Sequence, residues 1–131
     1  SAIDLGEDGF AMSAFTLRPM TAADIDPVYE LECRVYQIDP WSREQVASEI
    51  AGIPGTRYYV VAENEGRIIG YGGLFSPSIG VEADIQTVTV VAELQGRGIG
   101  RALLMDLLDE AARRSAPAVL LGMVFLSAGQ Y

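Results

Sequence analysis

The sequence predicts an α/β (α+β) fold in which strands and helices share one apolar core. Three observations carry this. Residues 58–63 and 67–76 are rich in aromatic and β-branched residues and are separated by Asn64, Glu65 and Gly66, the pattern of a hairpin. Residues 83–91 set Ile85, Val88, Val90 and Val91 around the β-branched Thr87 and Thr89, which predicts a long strand. Leu103, Leu104, Leu107, Leu108, Ala111 and Ala112 recur at helical spacing and predict an amphipathic helix.

The remaining elements follow in order. Residues 1–12 carry Asp4, Glu7 and Asp8 without periodicity and read as a flexible leader, with the domain expected over residues 13–131. Residues 15–18 predict a short strand ended by Pro19. Thr21 is an N-cap candidate for a helix bearing Ile25, Val28, Leu31 and Val35 on one face. Ser42-Arg43-Glu44-Gln45 fits a capping box, and a second helix should run to Ile50 before Ile53-Pro54-Gly55 breaks it. Gly70, Gly72 and Gly73 point to bending or close backbone approach in the second hairpin strand. Pro77 to Gly80 form another turn. On the long helix, Asp106, Asp109 and Glu110 should face water, and Arg113 and Arg114 suit its C-terminal dipole. Residues 118–126 predict a buried strand.

Composition narrows the function. Half of the 131 residues are hydrophobic and 21% are charged, enough apolar material for a packed core. The net charge is −9, and all nine cations are arginines. This argues against a nucleic-acid binder, since phosphate neutralisation needs clustered cations. Without histidine, Ser-His-Asp, Cys-His and His-metal arrangements are excluded. The lone Cys33 excludes an internal disulfide framework. No stretch approaches the roughly 20 apolar residues of a membrane span, and no basic region followed by an apolar run marks a signal peptide. The expectation is a soluble, cytoplasmic protein without a membrane partner.

The most informative segment joins the long strand to the leucine-striped helix: Gln95-Gly96-Arg97-Gly98-Ile99-Gly100-Arg101. A helix N-terminus presents unpaired N–H groups and partial positive charge, which suits phosphate oxygens. Glycines let the backbone approach an anion, and Arg97 and Arg101 add cationic donors. A Walker loop needs a lysine, which the chain lacks. A dinucleotide loop needs Gly-x-Gly-x-x-Gly, and Arg101 stands where its last glycine belongs. A coenzyme A pyrophosphate loop, Gln/Arg-x-x-Gly-x-Gly/Ala, is fitted by Gln95, Gly98 and Gly100. A glycine-rich turn without a ligand is the plain alternative.

Val88-Thr89-Val90 together with residues 95–104 resembles the acetyl-CoA motif of the GNAT-superfamily N-acetyltransferases, and the order of elements resembles their fold. Asp39-Pro40-Trp41-Ser42 between the first two helices resembles the RimI branch, the ribosomal-protein-alanine N-acetyltransferases. The resemblance spans residues 13 to about 120. It implies a mixed, mostly antiparallel central sheet flanked by helices. It implies acetyl-CoA as acyl donor, with Val88, Thr89 and Val90 offering main-chain hydrogen bonds to the pantetheine arm and Gly96, Arg97, Gly98, Ile99, Gly100 and Arg101 wrapping the pyrophosphate. It implies transfer to the N-terminal amine of a protein, a ribosomal one where the resemblance to that branch is followed.

Glu82 and Asp84, at the start of the long strand, are candidate bases acting through water; solvated strand-end carboxylates are the alternative. Where the branch carries a glutamate on the strand after the helix, this chain has Gly122. The closing tyrosine-bearing helix and strand pair have no match, and Tyr131 is not assigned the acid role. The final strand should then be exposed, and a homodimer through it is expected. Two other readings stay open: a coenzyme A-binding or self-associating module without turnover, and a small-molecule amine acetyltransferase.

Overall fold

The structure is a computed structural model that describes residues 15–121. The leader, Gly122, Tyr131 and most of the strand expected over 118–126, with the homodimer contact it was to carry, lie outside the described residues.

The elements run β1 (Thr16–Pro19), α1 (Ile25–Val35), α2 (Arg43–Ala51), β2 (Arg57–Asn64), β3 (Arg67–Phe75), β4 (Ala83–Val90), α3 (Ile99–Arg113) and β5 (Val119–Leu120). They form a five-stranded sheet in the order β1-β2-β3-β4-β5. The first three pairings are antiparallel and β4–β5 is parallel. The mixed, mostly antiparallel sheet expected from the resemblance is therefore present.

Local chemistry accounts for the boundaries. Thr21 caps a single 3-10 turn, Ala22–Asp24, that leads into α1, a finer arrangement than the direct helix start expected. The Ser42 hydroxyl accepts from the Gln45 N–H at 3.1 Å while Gln45 reaches back to the Ser42 N–H at 2.7 Å, the expected capping box. Glu65 and Gly66 both have positive φ, as a tight hairpin turn requires. Pro19 ends β1 inside the ladder, opposite Val60, which an edge strand tolerates.

Helices cover both faces of the sheet. On one face, Ile99, Leu103, Leu107 and Ala111 of α3 pack with Val60, Ile69, Ile85, Val88 and Val90. Each such leucine or isoleucine is worth about 1.5–3 kcal/mol buried. On the other, Val28 and Leu31 of α1 and Val46 of α2 pack with Val61, Tyr59 and Tyr71. The β3 glycines do the work expected of them. A Cβ on Gly72 would lie 3.1 Å from the Leu107 side chain, so α3 rests directly on the strand backbone. A Cβ on Gly73 would lie 2.1 Å from the Tyr59 ring, so that ring occupies the space a side chain would need.

Two expectations for α3 are corrected. Asp106 and Glu110 are half-buried. Asp106 accepts from the Tyr58 hydroxyl of β2 at 2.5 Å, and Glu110 pairs with Arg114 at 2.8 Å. Ala112 is exposed and lies off the stripe, which narrows to one residue per turn at its end.

Candidate active site

The site forms along β4. Among the described residues, β5 pairs with β4 at Ala83 and Asp84.

A bulge sets the chemistry of β4. Ile85 pairs with Leu74 and Thr87 with Gly73, which leaves Gln86 as the extra residue. The insertion reverses the side-chain alternation beyond it. Val88 and Val90 therefore join Ile85 in the α3-side core, and Thr87 and Thr89 turn to the opposite face. The Val91 N–H bonds the Ile69 carbonyl at 2.9 Å, so alternation points the Val88 and Val90 main-chain groups away from β3, toward the β5 side. The Val90 carbonyl receives the Gln95 side-chain amide at 3.0 Å.

The glycine loop stands at the end of this edge. Gly96 and Gly98 have φ of 82° and 87°, a left-handed geometry that L side chains adopt only with strain. Gly98 caps α3, and its carbonyl accepts the Ala102 N–H at 3.0 Å. Within the described residues no backbone bond takes the N–H groups of Gly96, Gly98, Ile99 or Gly100. The turn is open at the positive end of a 15-residue helix. Arg97 belongs to the same loop, and Arg101 is exposed on the first turn of α3. A diphosphate fits this donor set: glycine-lined, amide-rich and flanked by arginines.

Glu82 and Asp84 lie at the other end of β4. Glu82 is exposed ahead of the strand, and Asp84 is half-buried opposite Leu120. About 13 Å of extended chain separates Asp84 from Val88. The structure thus gathers residues 88–90 and 95–101 into one corner and leaves the two carboxylates at the β5 end.

Sequence reasoning missed the polar cluster on the α1 face. Thr87 Oγ1 and Thr89 Oγ1 lie 2.9 Å apart, and Thr89 Oγ1 lies 3.0 Å from the Tyr36 hydroxyl. Glu32, four residues before Tyr36, is only 4% exposed. It accepts the Trp41 N–H at 3.0 Å and the hydroxyl of the buried Tyr71. Burial, then the nearby Glu32 charge, push the Tyr71 phenol well above its ordinary value, so it stays a donor. A carboxylate one turn after Val28 on the apolar face of α1 was the available signal. A cavity of about 380 Å³ lies beside this cluster, between Arg34, Val35 and Gln37 at the end of α1 and Val91, Ala92 and Glu93 after β4.

A mostly antiparallel sheet, with a glycine loop opening the helix that follows its long strand, defines an acyltransferase-type α/β domain. Residues 25–125 match the Acetyltransferase (GNAT) family, and the chain belongs to that family. It is 35% identical over 99 residues to N-alpha-acetyltransferase RimI of Mycobacterium tuberculosis, covering 73% of this chain and 61% of that protein. The chain therefore spans about three fifths of that relative's length. The ribosomal-protein-S18-alanine N-acetyltransferase of Escherichia coli superposes with a TM-score of 0.66 at 25% identity, covering 76% of this chain and 61% of that one. Ard1 of Thermoplasma volcanium shares the fold, with a TM-score of 0.70 at 21% identity over 82% and 70% of the two chains. Acetyl-CoA is the general acyl donor of the family. No helix among the described residues is long and apolar enough to cross a membrane.

Proposed function

We propose that this chain is an acetyl-CoA-dependent N-acetyltransferase acting on the N-terminal α-amine of a protein, with residues 13–131 forming its domain. The observation that carries this reading is the glycine turn at the end of the bulged β4 edge, where no backbone bond takes the N–H groups of Gly96, Gly98, Ile99 and Gly100 among the described residues. Kinship with an N-alpha-acetyltransferase and a ribosomal-protein-alanine N-acetyltransferase supports the acceptor class. The net charge of −9 favours a basic protein tail.

Gly96, Arg97, Gly98, Ile99, Gly100 and Arg101 would hold the diphosphate, and the main-chain groups of Val88 and Val90 would face the pantetheine arm; Thr89, expected to share that role, turns its main chain to β3. When bound, acetyl-CoA supplies an acyl group activated as a thioester. The Val90 N–H is the donor for the developing oxyanion. Asp84, or Glu82 ahead of it, would take the amine proton only through a chain of several waters, since about 13 Å of extended strand separates Asp84 from Val88. Holding the amine at the edge converts the encounter into an oriented attack.

The test is release of free coenzyme A thiol from acetyl-CoA with an alanine-starting basic peptide, and a 42 Da gain at its N-terminus, roughly one acetyl group. Turnover with the free amine and none with an N-terminally blocked peptide is expected. Thermal stabilisation by coenzyme A without turnover on any peptide would replace this reading with a binding module.

A further inference from the structure

We infer that Glu32 is a positioning residue for the amine side of the acyl site, acting through the hydrogen bonds it accepts from Trp41 N–H and the Tyr71 hydroxyl. This rests on the acetyltransferase reading above.

The segment of residues 36–41 leaves α1 and returns to α2 as a bridge held at both ends. At its start, the Tyr36 hydroxyl lies 3.0 Å from Thr89 Oγ1 on β4. At its end, the Trp41 N–H donates to Glu32 at 3.0 Å. Between them, Asp39 has a φ of 58° and Ile38 is 90% exposed, so little else fixes the middle. Glu32 and Tyr36 are one helical turn apart, and Tyr71 holds the Glu32 carboxylate against β3. One buried carboxylate therefore ties the far end of the bridge to the sheet.

The bridge stands on the threonine face of β4, and α3 covers the opposite face. An amine approaching an acyl group at the Val88–Val90 edge must come from the side α3 leaves open. That side is bounded by Tyr36. The charge of Glu32 matters because two donors converge on it. A glutamine offers one acceptor oxygen, so the Tyr71 hydroxyl would have to turn and accept from its NH2, and both bonds would lose their charged partner.

The test compares Glu32→Gln with Tyr59→Phe. The Tyr59 hydroxyl donates to Glu49 on α2 at 2.7 Å, a partly buried bond that takes no part in holding the bridge. Glu32→Gln should raise KM for the acceptor peptide about tenfold, the scale of one hydrogen bond to a charged group, with KM for acetyl-CoA within about twofold. Trp41 is the only tryptophan, so its emission reports the bridge directly and should move to longer wavelength. Tyr71→Phe keeps the Trp41 bond and should give a smaller change of the same kind. Tyr59→Phe should lower Tm and leave both KM values and the emission unchanged.

An unchanged acceptor KM in Glu32→Gln, an equal rise in both KM values, or the same changes in Tyr59→Phe would overturn the inference. If the unaltered protein shows no turnover, the acetyltransferase reading fails by itself. The emission of Trp41 then decides whether Glu32 holds the bridge: a shift confined to Glu32→Gln and Tyr71→Phe upholds it, and none refutes it.

Discussion

The two faces of the sheet are built from different chemistry. The α3 face is aliphatic: Leu103 and Leu107 lie on β3 glycines, and Val88 and Val90 complete the layer. The α1 and α2 face buries tyrosines and carboxylates. The Tyr59 and Tyr71 rings stack with centroids 6.4 Å apart, and their hydroxyls go to Glu49 and Glu32. An aliphatic layer fixes a backbone without dictating direction, since packing is non-directional. It suits the strand and helix that frame the glycine loop. A hydrogen-bonded layer fixes orientation, and it fastens the connection that carries Tyr36 and Trp41. The bulge at Gln86 lets one strand serve both, with valines on one side and threonines on the other.

Substitutions can break or sharpen this contrast. The largest effect belongs to the aliphatic face. Leu107→Ala removes a fully buried side chain and should cost about 2–5 kcal/mol in chemical denaturation. Tyr71→Phe should cost about 1–3 kcal/mol, because a buried carboxylate loses a donor. The two side chains belong to separate clusters, so the double variant should show additive losses; strong coupling would contradict two independent layers. Ser42→Ala removes a cap that borders the Trp41 connection and should cost about 1 kcal/mol.

The smallest effect is at acid pH. The Arg18 guanidinium, bonded to both Asp24 oxygens at 2.8 Å, holds that carboxyl below its ordinary value of 3.8. A depressed folded value means the stabilisation is complete above the unfolded value and fades as pH falls through the folded one. The Tm gap between the protein and Asp24→Asn should be constant from pH 7 to about pH 5 and close below about pH 4.

The elements legible in the sequence were those with a period or a cap. Ser42 and Gln45 marked α2, and the leucines marked α3, because local spacing alone decides those features. The loop was legible because Gly96 and Gly98 occupy a backbone geometry other residues avoid. The bulge was not, since an extra residue at Gln86 exists only relative to the β3 register. For the same reason the Thr87 and Thr89 face could not be separated from the Val88 and Val90 face. Asp106 was misjudged because helical spacing gives an angle around α3, and Tyr58 of β2, which meets it, is 48 positions away. Glu32 was not legible as a site residue, because its partners Tyr71 and Trp41 come to it from a distant and a neighbouring segment.

The central claim is that the turn opening α3 receives the diphosphate of an acyl carrier. Calorimetric titration with coenzyme A tests it directly, comparing the unaltered protein with Gly98→Val, whose φ of 87° a β-branched residue cannot adopt without strain. The account predicts saturable heat at one site per chain, weakened at least about tenfold in the variant and reduced by added salt. Absence of heat with the unaltered protein, or equal affinity in both, would contradict it.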